Sequence, residues 1–287
     1  NWDMLKNLHE RKKYGTTLQL AAADILNLED IKDSPLISSE FYSIIHLAAQ
    51  PGVRESFGNR EIYFKQNVEG TRKILELALK VNPRKIINFS SSTIYGAQDS
   101  YPFNEDMIPH PISPYGESKY EAEKLCTRIS EDAPFPIVTL RPFSIYGPQL
   151  RPRLAISTFA KQILSDSPIS INGDGEKMRD FTHVSDLVKA VESCIAIDLD
   201  KGHHVFNIGN GNPVSINNLV SKLGEIIGNF PKVEYQENIN GEVEKTWASL
   251  DKANDILKYK PRINIGEGLR RYIQWLTEPS LNQLIIG

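Results

Sequence analysis

Lys85-Ile86-Ile87-Asn88-Phe89 is a short apolar run that ends in three hydroxyl side chains, Ser90-Ser91-Ser92. A run of this length fits a strand buried in a parallel sheet, with the serines marking its carboxyl end. Working outward, further apolar runs at Leu18–Ala23, Tyr42–Ala48 and Ile137–Leu140 alternate with amphipathic stretches at Ile62–Val81 and Pro114–Ser130. This alternation predicts an α/β fold: a doubly wound parallel sheet with helices on both faces. The start of the second helix is well marked, because Ser113 can cap its free N–H groups and Pro114 suits the first turn. Pro134 and Pro136 close it.

Beyond residue 150 the pattern loosens into Gly- and Pro-containing loops. Short strands are predicted at Ile169–Ile171 and Val205–Ile208, and helices at Val184–Ala196 and Ile216–Ile227. The expected organisation is a first domain over 1–150, to which 184–210 returns, and a smaller, interleaved C-terminal α/β substrate lobe built from 151–183 and 211–287. In an open parallel sheet, ligands bind beyond the carboxyl ends of the strands. His46-Leu47-Ala48-Ala49, Ser90-Ser91-Ser92 and Arg141-Pro142-Phe143-Ser144 all fall there, so three small or polar strand ends point to one crevice.

The 287 residues, 40% hydrophobic and 24% charged, supply enough apolar material for a sizeable core. A net charge of −3 gives no basic stripe for a nucleic-acid partner. No apolar run approaches the roughly 20 residues of a membrane span, and Asn1-Trp2-Asp3-Met4 has no signal-peptide character. A cytoplasmic protein without a membrane partner is expected. Cys126 and Cys194 lie in helical segments without metal-ligand spacing, and are expected to be buried thiols, with no disulfide and no metal.

Tyr115 and Lys119 are four residues apart at the start of a predicted helix and so share one face. A phenol with a pKa near 10 is a poor base at neutral pH, and a neighbouring ammonium favours the phenolate. A hydroxyl of the serine turn, about two dozen residues earlier, can hydrogen-bond the same substrate oxygen that the tyrosine deprotonates.

The strings Asp24-Ile25, His46 to Arg54 (HLAAQPGVR), Asn67 to Thr71 (NVEGT), Ser90 to Gly96 (SSSTIYG), Ser113 to Lys119 (SPYGESK), Leu140 to Phe143 (LRPF), Tyr146-Gly147-Pro148 and Arg179 to Val184 (RDFTHV) occur in one order and spacing. Together they resemble an extended short-chain dehydrogenase/reductase of the NAD-dependent epimerase/dehydratase family along essentially the whole chain. The resemblance implies a Rossmann-like sheet, NAD as cofactor and a nucleotide-sugar substrate, with UDP as the expected nucleotide. It implies that Tyr115 is the catalytic base, that Lys119 binds the nicotinamide ribose and tunes the tyrosine, and that Ser91 is the hydroxyl partner. A positively charged nicotinamide acts on the phenol in the same direction as Lys119. Asp24 and Ile25 correspond to adenine contacts, Ala48 and Ala49 line the pyrophosphate and ribose, Asn67 supports the cofactor pocket, and Pro142 abuts the nicotinamide.

On the substrate side the resemblance implies Ser91, Ser92, Ser144 and Arg179, the last holding diphosphate. A guanidinium suits that task through paired charge-assisted hydrogen bonds; the alternative for Arg179 is a salt bridge to a neighbour such as Asp180. Arg151 and Arg153 either add positive charge near an anionic sugar or are solvated loop charges. His46 and His183 stand where the family uses structural residues. The helix bearing Tyr115 and the stretch Ile62–Val81 resemble the pair through which relatives dimerise, which implies a homodimer.

Two departures accompany the resemblance. The Gly-rich turn of the first βαβ unit is not in the chain, and Asn1 to Gly15 resembles the segment after the family's second strand, so roughly 45 residues of that unit are expected to be missing. Asn172 stands where many relatives have an aromatic. Relatives that remove water follow the catalytic hydroxyl with Asp-Glu, whereas here Ser92 and Thr93 follow Ser91. Neither replaces a carboxylate for proton abstraction beside a ketone. The expected reaction is therefore 4-epimerisation through a 4-keto sugar, most like UDP-glucuronate and UDP-glucose 4-epimerases. The alternatives are a dehydratase or reductase of the same family and a cofactor-free interaction protein on this fold.

Overall fold

The computed structural model describes residues 21–28, 42–238 and 243–278. Its main sheet is wholly parallel, with β1 (Ser43–His46), β2 (Lys85–Phe89), β3 (Pro136–Pro142) and β8 (Gly202–Ile208) in that spatial order. Period-two alternation explains why both faces are covered. Ile86 and Ile137 pack with Leu75, Ala78 and Cys126 from α3 (Gly70–Val81) and α4 (Pro114–Ser130). Their chain neighbours Ile87 and Val138 pack on the opposite face with Ala190, Cys194 and Leu257 from α6 (Val184–Ala196) and α8 (Asp251–Leu257). The doubly wound α/β layering predicted from the apolar runs is thus present.

Local chemistry sets several boundaries. Ser113 accepts a hydrogen bond from the Gly116 N–H at 3.1 Å, and Pro114 opens α4. The predicted helix Ile62–Val81 is interrupted. Two short helices, α1 (Val53–Ser56) and α2 (Arg60–Phe64), lead into a π-helical turn at Lys65–Glu69 before α3 begins. The cause lies outside the helix: Asn67 is bonded to both backbone groups of Gln50, and Thr71 donates to the Asn67 carbonyl at 2.6 Å. Wide turns of this kind accommodate an inserted interaction without ending a helix.

The strand predicted at Leu18–Ala23 is not found over Ala21–Ala23, which are exposed and outside any strand; Leu18–Leu20 lie outside the described residues. Three alanines offer little surface to bury. The chain instead turns at Asp24, whose carboxylate accepts from Leu26 N–H at 3.0 Å.

A second core gathers around Tyr146, Phe159, Ile163, Leu219, Leu223, Leu269 and Tyr272. It is built by α5 (Ala155–Leu164), α7 (Ile216–Ile227) and α9 (Ile265–Thr277). Three two-stranded sheets accompany it: β4 (Ser144–Tyr146) with β7 (Phe181–His183), β5 (Ile169–Asn172) with β10 (Val233–Gln236), and β6 (Met178–Arg179) with β9 (Val214–Ser215). Between β6 and β7, the fully buried carboxylate of Asp180 accepts N–H bonds from Asn210 at 2.7 Å and from Gly211 and Ala248 at 3.0 Å. One side chain thereby pins the loop after β8 and the approach to α8 against the segment between β6 and β7. Among the described residues no helix is long and apolar enough to cross a membrane.

Candidate active site

Tyr115 sits in the first turn of α4, where the Ser113 cap and Pro114 fix its backbone. Its phenol is near Ser91, which follows β2 and whose hydroxyl acts to lower the phenol's pKa. Ser91 Oγ accepts from the Thr93 N–H at 3.2 Å and the Thr93 hydroxyl at 2.9 Å. Ser92 is half-buried in the short 3₁₀ turn that follows. Tyr63 meets Tyr115 edge-on with ring centroids 6.1 Å apart.

Burial raises the Tyr115 pKa, while the Ser91 hydroxyl and the charge of Arg151 pull it back. Arg151 and Arg153 are both exposed loop residues, and the charge of Arg151 acts on the phenol.

Lys119, one turn further along α4, is buried, and burial pushes its ammonium down to about 8 against the opposing pull of Glu123. His46, at the end of β1, is buried with its Nε2 3.1 Å from the Thr71 hydroxyl, and is pushed down to about 4 by burial and then by Lys119. It is neutral at neutral pH. His183 caps α6 by accepting the Ser185 N–H at 3.2 Å.

The Lys119 shift has a consequence for stability. An unfolded chain holds this proton to about pH 10.5, whereas the native side chain releases it near 8. Between those values the unfolded state binds more protons, so the contribution of Lys119 to stability rises with pH, and below pH 8 its cost is fully present. Lys119→Met is therefore expected to stabilise the fold at pH 7 by up to about 3 kcal/mol, with the gain fading by pH 10.5. Urea unfolding of both proteins at pH 7 and pH 10 checks this; a gain equal at both values contradicts it.

Asn67, held by the π-helical turn, accepts from Gln50 N–H at 2.7 Å and donates to Gln50 C=O at 3.1 Å and to Ser118 Oγ at 2.8 Å; Ser118 in turn donates to the Tyr115 carbonyl at 2.8 Å. It thereby ties the loop after Ala48-Ala49 to the turn that carries Tyr115. Ile25 rests on Gly70 of α3 so closely that any Cβ there would collide with it, which seats Asp24-Ile25 at the same end of the sheet. Pro142 ends β3 beside Ile208. Ser144 and Arg179 are placed by the second lobe: Ser144 opens β4, and Arg179, half-buried on β6, donates to the Met178 carbonyl at 2.9 Å and exerts its charge on Tyr101. The Asp180 carboxylate, an alternative partner for Arg179, is occupied by three backbone N–H groups.

The strand ends carry features of the chain's own that suit a dinucleotide. Ala48 and Ala49 carry minimal side chains at a strand end, and Ser90 Oγ, at the end of β2, is buried without a hydrogen-bond partner. Reading the sequence missed Tyr63 and a buried pair, Glu123 with Arg141. The signal for Glu123 was its four-residue spacing from Lys119 on an otherwise charged helix; for Tyr63 no local signal exists.

Residues 1–209 match the NAD dependent epimerase/dehydratase family. The chain is 38% identical over 276 residues to the UDP-glucuronate 4-epimerase of Thermodesulfobacterium geofontis, covering 94% of this chain and 83% of that protein. Among solved structures, it resembles MoeE5 in complex with UDP-glucuronic acid and NAD with a TM-score of 0.82 at 34% identity, covering 91% of this chain and 86% of that one. It also resembles a UDP-glucuronic acid 4-epimerase from Bacillus cereus, in complex with UDP-glucuronic acid and NAD, with a TM-score of 0.79 at 33% identity over 91% and 79% of the two chains. The tyrosine–serine pair at the strand ends and these likenesses lead to one conclusion: the chain belongs to the NAD-dependent epimerase/dehydratase family.

Proposed function

We propose that this protein is an NAD-dependent UDP-sugar 4-epimerase whose substrate is a uronate. The observation that carries the reading is the pairing of the Tyr115 phenol with the Ser91 hydroxyl at the end of β2, followed by Ser92 and Thr93 where an eliminating enzyme needs carboxylates. Tyr115 takes the proton of the sugar 4-hydroxyl, and Ser91 holds that oxygen in place. Bound NAD supplies reversible uptake and return of the C4 hydride, which inverts the centre when the 4-keto sugar presents its other face. Asp24, Ile25, Ala48, Ala49, Asn67, Lys119 and Pro142 are the residues assigned to holding NAD. Because burial holds the phenol above its ordinary range, it needs nearby positive charge to act as a base, and Arg151 provides part of it. Proton return to the newly formed 4-alkoxide then restores the phenolate for the next cycle.

Ser92, Ser144 and Arg179 are assigned to the nucleotide sugar, with the Arg179 guanidinium on the diphosphate. Arg151 is assigned to the sugar carboxylate: it is an exposed cation whose charge reaches the reacting phenol. Part of this reading is the division of the chain into a cofactor domain, 1–150 with 184–210, and a nucleotide-sugar lobe, 151–183 with 211–287; two separate apolar cores support it. A cytoplasmic homodimer joined through α3 and α4 completes it.

The test is a panel of UDP-sugars with chromatographic separation of the 4-epimers, alongside mass spectrometry of the denatured protein for retained NAD. UDP-glucuronate is expected to be the preferred substrate. Arg151→Gln is expected to raise KM for UDP-glucuronate by about 3- to 10-fold, since an exposed charge pair is worth about 1 kcal/mol, and to leave KM for UDP-glucose nearly unchanged. Equal effects on both sugars would remove the carboxylate from the role of Arg151.

A further inference from the structure

Glu123 lies one helical turn beyond Lys119 on α4, on the same face. Both are buried, with exposures of 3% and 7%, and Arg141 at the end of β3 is 5% exposed. Arg141 grips the Glu123 carboxylate through Nε, at 3.1 and 3.3 Å from its two oxygens, and through Nη2 at 2.8 Å. Its remaining nitrogen, Nη1, donates to the Tyr95 hydroxyl at 2.9 Å, which donates to Asn207 Oδ1 at 2.7 Å, and to the Glu105 carbonyl at 3.3 Å. The guanidinium on β3 is therefore held by α4, by the loop that follows β2 and, through Tyr95, by Asn207 of β8, and it holds the carboxylate in turn.

Such a pair is weak evidence for stability. Desolvating two charges costs about as much as their attraction returns, and apolar replacements of both are often neutral or stabilising. The groups around Lys119 suggest what the pair does instead. On its own helix stand Tyr115, raised by burial, and Cys126, pushed up to about 12; from β1 comes His46, pushed down to about 4, and from α2 comes Tyr63, against Tyr115. Near neutral pH, Tyr115, Cys126 and His46 are uncharged. Of the groups that oppose the burial of the ammonium, Glu123 is the stronger and Cys126 the weaker.

We propose that the Glu123–Arg141 pair is a positioning unit for the reaction, which anchors one carboxylate behind Lys119 and so keeps that buried ammonium charged for cofactor binding and catalysis. Arg141 fixes where the carboxylate sits and couples α4, which carries Tyr115 and Lys119, to the end of β3, which carries Pro142. This rests on the assignment of Tyr115 and Lys119 made above.

The experiment follows Lys119 directly. Lysine side chains labelled with ¹³C at Cε are titrated by NMR in the protein as purified, with the Lys119 signal assigned by its loss in Lys119→Arg. In the double variant Glu123→Met, Arg141→Met the titration midpoint is expected to fall by about one pH unit, while urea unfolding shows stability equal to or above that of the parent. Glu123→Asp is expected to recover at least half of the fall, and the alkaline limb of kcat/KM is expected to move with the midpoint. If the double variant does not fold, Glu123→Gln, which keeps an acceptor for Arg141, carries the same measurement. A midpoint within about 0.3 pH unit of the parent overturns the proposal. Failure of the underlying assignment is separately visible, because Tyr115→Phe would then turn over normally whatever the Lys119 midpoint does.

Discussion

Tyr115→Phe is expected to lower kcat by about 10²- to 10⁴-fold, the range associated with losing a positioned general base, with NAD retention nearly intact. The ring stays, so its edge contact with Tyr63 and the Ser113-capped turn beneath it are preserved. Only the phenol hydroxyl, whose pKa Ser91 lowers, is lost. Ser91 keeps both of its Thr93 donors, so the serine turn has no reason to rearrange. Single-turnover and steady-state rates, with mass-spectrometric measurement of bound NAD, separate loss of chemistry from loss of cofactor. Turnover comparable to the parent would sink the proposed mechanism, and loss of NAD in step with activity would move Tyr115 from chemistry to binding.

Asp180→Ala carries the largest expected effect on stability. Its carboxylate has no exposure to solvent, and burial pushes its pKa up, while N–H bonds from Ala248, Asn210 and Gly211 pull it back. Alanine leaves three buried N–H groups without an acceptor, each costing about 1–3 kcal/mol, so a loss above about 4 kcal/mol is expected and places this substitution among the severe ones. Asp180→Asn keeps one acceptor oxygen but turns an NH₂ toward the remaining donors, and an intermediate loss is expected. Equilibrium urea unfolding measures both; a loss below about 1 kcal/mol for the alanine variant would show that water replaces the carboxylate at this junction.

The elements that could be read from the chain share one property: their signals are local. Ser113 and Pro114 define the start of α4 within a few residues, and the buried run Lys85–Phe89 is a strand of the same extent in the fold. Helices Val184–Ala196 and Ile216–Ile227 also occur where the apolar periodicity places them, each opened by a side chain that caps its first turn. Ala21–Ala23, the described part of one predicted strand, show the limit of that approach, because an apolar run is a strand only where another strand lies beside it.

The candidate site divides in the same way. Tyr115, Lys119 and Ser91 could be named from residue type, spacing and resemblance, since a base, an ammonium and a hydroxyl at strand and helix ends are chemical choices written into the chain. Their electrostatic partners could not. Arg151 acts on Tyr115 from a loop, Asn67 reaches Gln50 by widening a helix, Arg141 finds Glu123 from a neighbouring strand, and Asp180 turns from Arg179 to backbone donors as far along the chain as Ala248. The sequence alone determined which groups are available for proton transfer and where helices and buried strands begin. Only the tertiary structure decided which charges those groups feel, because pKa shifts and hydrogen bonds depend on burial and on distances of a few ångströms between residues that are remote in the chain.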